Sequence, residues 1–338
     1  MKDTHIRRAI MVERFKQYLV KRFNLKDVDK FLQNHVFNTD ISQLSIPKLN
    51  KLLDKVQSEV SALYGVYVDD LKSHWQSFFD DSYRFETKSV GHIYTHLKDK
   101  LKPLEQNFIS QAVNHVLNKP LDFKGLTGIT LGEMLESFQQ SESLRIVRTI
   151  RLAHHQGKTI TDIIRLIRGT KARQYQDGVL SILQRNAESI ARTGTAIFNT
   201  EAKTTFMEKH DDLIDGIQVI ATLDSRTSPI CRHLDREYMS LDKAIYPPFH
   251  FNCRSTFVYV LKGEKPSTDG MSYYEWLKTQ SDDFQNQVLG TKRAMLFRDG
   301  GLSIEQFKAL QLDKKFQPIT LEEMKKLEPL VFAKLFDN

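Results

Sequence analysis

Apolar residues recur every three to four positions through most of this chain, a period that belongs to helices with one buried face. In "IRRAIMVERFKQYLVKRF" the spacing sets Ile6, Ile10, Phe15, Leu19 and Phe23 near one such face. From Ser45 the period runs on for roughly 40 residues, with Ser45 placed to cap the helix, Pro47 inside its first turn and Gly65 as its weak point. Helices of that length favour a bundle or an extended arm over a compact sheet domain.

The first break is "NKPLDFKGLTGITLG", residues 118–132. Thr130 then reads as an N-cap with Glu133 as its capping-box partner. Helices continue through "LRIVRTIRLAHHQG" and "TITDIIRLIRGT", closed by Gly157 and Gly169, and again from Asp177 to Lys209. At residue 217 the period changes. "IQVIATL" and "STFVYVL" are short β-branched runs with a candidate hairpin around "DREYMS" between them. After the linker "GEKPSTDG", "SYYEWLKTQSDDFQNQVLG" reads as one helix stopped by Gly290. A last short helix is capped by Thr320 and bracketed by Pro318 and Pro329. The pattern predicts an α+β protein, predominantly α-helical, with one small and mostly antiparallel sheet domain near residues 210–262. The divisions expected are a helical region 1–117, a helical middle domain 118–209, the sheet domain 210–262, and a linker with helical tail 263–338.

Composition narrows this picture only slightly. The chain is 40% hydrophobic and 27% charged, ordinary for a globular protein. No apolar run approaches the ~18 residues needed to cross a bilayer. The start alternates charged and apolar residues and has no small-residue cleavage site, so a cytosolic protein without a secretory signal is expected. Two cysteines are too few for a disulfide framework and would stay thiols in that compartment. The net charge of +7 permits a nucleic-acid or acidic protein partner. Its densest stretch is "RIVRTIRLAHHQGK". There Arg145, Arg148, Arg151 and Lys158 are candidates for contact with the backbone of double-stranded DNA, without sequence readout because no aromatic residues interleave. A solvated face, or one docked on an acidic protein, explains the same residues.

Both cysteines sit in turn-rich segments, "TLDSRTSPICRHLD" and "YPPFHFNCRS". Three readings are open. Cys231, His250 and Cys253 supply three metal donors, with Asp235, Asp224 or His233 for a fourth, and thiolate with imidazole suits a structural zinc. Alternatively, Asp224, Arg226, His250 and Arg254 form a charged clasp with the cysteines packed beneath. Or Cys231 and His250 form a nucleophile pair. The glutamate of a zinc deaminase is missing after His250, and the chain has no phosphate-binding loop, nucleophile elbow or H-E-x-x-H.

These two segments resemble the signature of the phage Mu F-like minor head proteins, the head morphogenesis family. Thr222, Asp224, Arg226, Thr227, Ser228, Cys231, Asp235, Pro247, Pro248, His250, Cys253 and Arg254 match it. Arg236 stands where the pattern has Gly, and Ser255 where it often has Cys. The likeness covers roughly residues 120–335 and is specific at 222–255. It implies a non-enzymatic minor capsid protein of a tailed bacteriophage, made in the host cytoplasm and carried in the virion head near the portal. Its partners would be the portal, the major capsid protein or the scaffold, and the packaged or ejected genome, with no membrane step during assembly. The competing function is a metal-dependent hydrolase or nuclease built on the same Cys/His/Asp cluster.

Overall fold

The computed structural model describes residues 2–123 and 126–336, with side chains throughout except at residues 2–6, 106, 122, 126 and 127. The fold is the predominantly helical α+β one expected: fourteen α-helices and five strands among the described residues. None of these helices is long and apolar enough to cross a membrane. The chain divides into two compact units, Met1–Lys209 and His210–Asn338. The sequence divisions at 117/118 and 262/263 fall inside them.

Unit 1 holds α1 (Lys2–Arg22), α2 (Leu25–Leu32), α3 (Ile46–Ile93), α4 (Gln106–Asn118), a hairpin of β1 (Pro120–Phe123) and β2 (Leu126–Thr130), α5 (Leu131–His155), α6 (Ile160–Arg168) and α7 (Val179–Lys209). Helix α3 is the spine, packed by α1, α5 and α7. Its buried positions step by three and four residues, through Leu49, Leu53, Val56, Val60, Tyr64, Tyr67, Leu71, Trp75, Phe78, Ser82, Glu86 and Ser89. That averages about 3.6 per turn, so one stripe stays buried without supercoiling. Ser45 stands at the N-cap position of α3 without a side-chain bond, and Pro47 lies in the first turn. The capping box at Thr130 and Glu133 is formed. Gly157 and Gly169 take positive φ after α5 and at the end of α6.

Helices α3 and α7 approach closely at Gly194. A Cβ on Gly194 would lie 2.1 Å from Trp75 Cζ2, so only glycine admits the indole. Trp75 stacks on Phe198 and donates from Nε1 to Thr195 Oγ1 at 3.1 Å. In α1 the expected face is shifted. Leu19 and, just past the helix, Phe23 are buried as expected, but Val12 is buried and Ile10 is 50% exposed. Arg8 and Lys16 take buried places instead, Arg8 bonding Ser82 and Lys16 bonding Glu13. Ile6 lies outside the residues whose side chains are described.

Unit 2 is built on an antiparallel sheet of order β4-β3-β5: β3 (Ile214–Ile220), then α8 (Pro229–Leu234), β4 (Tyr238–Ser240) and β5 (Thr256–Leu261). Six short helices follow: α9 (Tyr273–Lys278), α10 (Asp282–Leu289), α11 (Thr291–Asp299), α12 (Ile304–Ala309), α13 (Leu321–Leu327) and α14 (Pro329–Phe336). The single helix expected across "SYYEWLKTQSDDFQNQVLG" is two, because Ser281 bonds Phe284 N and starts α10 afresh. The tail is folded onto its own core of Tyr273, Tyr274, Leu277, Phe297, Phe307 and Met324.

Candidate metal centre

Strand pairing explains why the two cysteine segments meet. In the β3–β5 register Ile220 faces Thr256. The chain leaving β3 and the chain entering β5 therefore lie side by side at one end of the sheet. Residues 221–231 and 250–255 extend from that end, and a small apolar cluster of Val219, Ala221, Cys231, Leu234, Phe249 and Cys253 fills the space between them.

Each polar residue is held by a local device. Asp224 accepts from Arg226 N and Thr227 Oγ1, closing a tight turn. Thr227 also donates to the carbonyl of Thr222. Ser228 caps α8 with Pro229 in its first turn, and this first turn carries Cys231 inward. Arg254 forks onto Asp224 with bonds of 2.6 and 2.7 Å, tying the second segment to the first. That bond above all, followed by those from Arg226 N and Thr227, holds the Asp224 carboxyl down at about 2. Arg226, expected in the clasp, contributes its backbone N–H; its side chain is 80% exposed and 3.8 Å from Asp224.

Cys231, His250 and Cys253 come together as expected, with ligand atoms all within 4.8 Å of one another. The two sulfurs are 3.7 Å apart, and Cys231 Sγ is 3.2 Å from His250 Nε2. His250 Nδ1 donates to the carbonyl of Phe251 at 2.8 Å, which leaves Nε2 facing the thiols and the Ser228 hydroxyl, 2.8 Å away. The thiols share a hydrogen bond that, together with His250, holds Cys253 well below the usual thiol range. The same bond, and then burial, pushes Cys231 well above it. For His250 burial opposes the charge, but the bond and charge of Cys253 prevail and its basicity rises.

No protein-family model, curated protein or solved structure matches this chain. Asp235, expected among the metal donors, is placed differently. Its Oδ1 accepts from Ala221 N and its Oδ2 from Tyr273 N, both at 2.7 Å, so both oxygens are committed to backbone. Burial raises its pKa despite those bonds. His233 packs against Phe316 and belongs to no donor group with the cysteines.

Three residues beyond the expected donors and clasp complete the site. Ser228 bridges α8 and His250. Arg232 bonds the carbonyls of Thr227 and Val288 and lies over the ring of Tyr273. Tyr273 donates from its hydroxyl to the carbonyl of Asp224 at 2.7 Å. A Ser–Pro pair opening a helix was a legible signal for Ser228; Arg232 and Tyr273 carried none.

The basic stretch belongs to unit 1 and is divided. Arg145 is half-buried against buried Glu142, at 3.4 Å. Arg148, Arg151 and Lys158 are exposed. Arg151 shares an open depression of about 520 Å³ with Asp54 and His155, so the surface beside it is not purely cationic.

Proposed function

We propose that this protein is a minor head protein of a tailed bacteriophage, acting in head assembly near the portal, with the 222–255 segment as a structural clasp. The observation that carries this reading is the convergence of the resembling residues. Asp224, Cys231, His250, Cys253 and Arg254 are spread over thirty positions in sequence yet form one interlocked cluster at the end of the β3–β5 pair. A signature of this kind holds a module together. Burial supports it as well: Cys231 is 2% and Cys253 1% exposed, which leaves a substrate no approach to a thiol and weighs against the Cys231–His250 nucleophile pair.

The test is co-assembly. Produced together with the portal and capsid proteins of its own phage, the chain co-sediments with assembled heads. Arg254→Ala, which opens the clasp, lowers its copy number there. Absence from heads under every assembly condition, or metal-dependent turnover lost in His250→Ala with folding retained, overturns the reading. Contact with the genome rests on the exposed Arg148, Arg151 and Lys158. Charge reversal at Arg148 and Arg151 then abolishes salt-steep DNA binding, and unchanged binding removes DNA from the partners.

A further inference from the structure

The sulfur and nitrogen positions carry more than a clasp. A tetrahedral zinc with Zn–S of about 2.3 Å and Zn–N of about 2.0 Å separates two ligand sulfurs by about 3.8 Å, and sulfur from imidazole nitrogen by about 3.5 Å. The corresponding distances are 3.7 Å and 3.2 Å. The third pair, Cys253 Sγ and His250 Nε2, lies within 4.8 Å, so a metal fits the cluster once the donors close in on it. The orientation of the imidazole is also fixed from behind. Nδ1 is committed to the Phe251 carbonyl, as in sites where a backbone acceptor sets the tautomer that presents Nε2 to the metal. The neighbouring residue of Cys253 is itself anchored, through the Arg254 fork on Asp224. Finally, the Ser255 hydroxyl is buried in this region without a hydrogen-bond partner. Ser255 stands two positions after Cys253 and directly before β5. A buried hydroxyl with nothing to bond needs a reason.

We propose that Cys231 Sγ, Cys253 Sγ and His250 Nε2 bind one zinc ion, with Ser255 Oγ at the fourth position. The ion is structural: it joins the segment leaving β3 to the segment entering β5. Both sulfurs bind as thiolates, so binding releases the protons they carry and affinity rises with pH. This assignment stands on the donor geometry and holds whether or not the protein is a phage head component.

The experiment uses the full-length chain, purified from zinc-supplemented cells and analysed for metal. About one zinc per chain is expected after gel filtration. Exchange for cobalt should give a sulfur-to-cobalt charge-transfer band in the near ultraviolet and the intense visible bands of a tetrahedral ion. Cys253→Ser removes most of both. If that variant does not fold, the decisive one is Ser255→Cys, which adds a third thiolate. Its charge-transfer intensity should rise by about half, and zinc should bind at least about tenfold more tightly. Wild-type protein that keeps no zinc and gives only weak octahedral cobalt bands overturns the site. A Ser255→Cys variant with wild-type intensity and affinity overturns the assignment of the fourth ligand.

Discussion

The two units solve the burial of polar groups in opposite ways. In unit 1 charge is sunk into a helical core where shape does the specifying. Glu86 and Lys203 are almost fully buried and 4.0 Å apart, and burial lowers the Lys203 pKa, but the neighbours that fix helix register are Gly194 and Trp75. In unit 2 the strands are only three to seven residues long and bury little by themselves. There the polar groups make short, directed bonds: Asp235 to two backbone N–H groups, Arg254 to both oxygens of Asp224. A long helix can locate itself by repeating a stripe. A small sheet with long connections has to be located by individual side chains.

That difference can be broken or sharpened by mutation. The chain's two tryptophans, Trp75 and Trp276, fall one in each unit, which gives each its own reporter. Trp75→Ala should cost about 3–5 kcal/mol in unit 1, the range for deleting a large buried aromatic side chain. Helical circular dichroism in urea reads the loss, while the fluorescence of Trp276, packed on the tail core, keeps its midpoint. Equal losses on both probes would erase the distinction between the units.

Asp235→Ala leaves the N–H groups of Ala221 and Tyr273 buried without acceptors and should cost about 3 kcal/mol in unit 2. Asp235→Asn keeps one acceptor oxygen and should cost about half as much. Trp276 fluorescence in a Trp75→Phe background measures both. If Asn and Ala are equally harmless, directed bonds do not locate this sheet.

The Asp224–Arg254 pair should show in the pH dependence of unit 2. A carboxyl held near 2 when folded and near its ordinary value when unfolded stabilises the fold above about pH 4. That contribution disappears as the pH falls from about 4 through 2. Because the carboxylate is partly open to solvent, the effect is on the order of 1 kcal/mol, and Asp224→Asn should flatten it. The smallest change expected is a gain. Arg236 sits at φ 67, in the left-handed region, where the head-protein pattern has Gly. Arg236→Gly should stabilise unit 2 by about 0.5–1 kcal/mol, seen as a higher urea midpoint.

The helices of unit 1 were legible because one physical rule, burial of a stripe, acts on every turn of α3, α5 and α7. The stripe was masked where a polar residue replaced an apolar one on it, as with Arg8 and Lys16 in α1 while Ile10 faces solvent. In unit 2 the chemically distinctive residues, Cys231, His250 and Cys253, announced the cluster, and the β-branched runs announced its strands. Asp235 did not declare its role, since a carboxylate near cysteines suits a metal and two backbone amides equally well. Tyr273 was beyond reach for another reason: it comes from a segment some fifty residues after Asp224, and only the folded tail brings its hydroxyl back. The split between α9 and α10 turned on a single serine, Ser281.

The pairing of Ile220 with Thr256 has a consequence for how freely this module can vary. Each donor is positioned by its distance from its own strand end, and the excursion through β4 that separates Cys231 from His250 does not set the geometry. Lengthening the stretch between Ser240 and Tyr246 should therefore leave the donors in place. Adding one residue between Cys253 and Thr256 would instead move a sulfur away from its partners by up to about 3.4 Å, the rise of one extended residue.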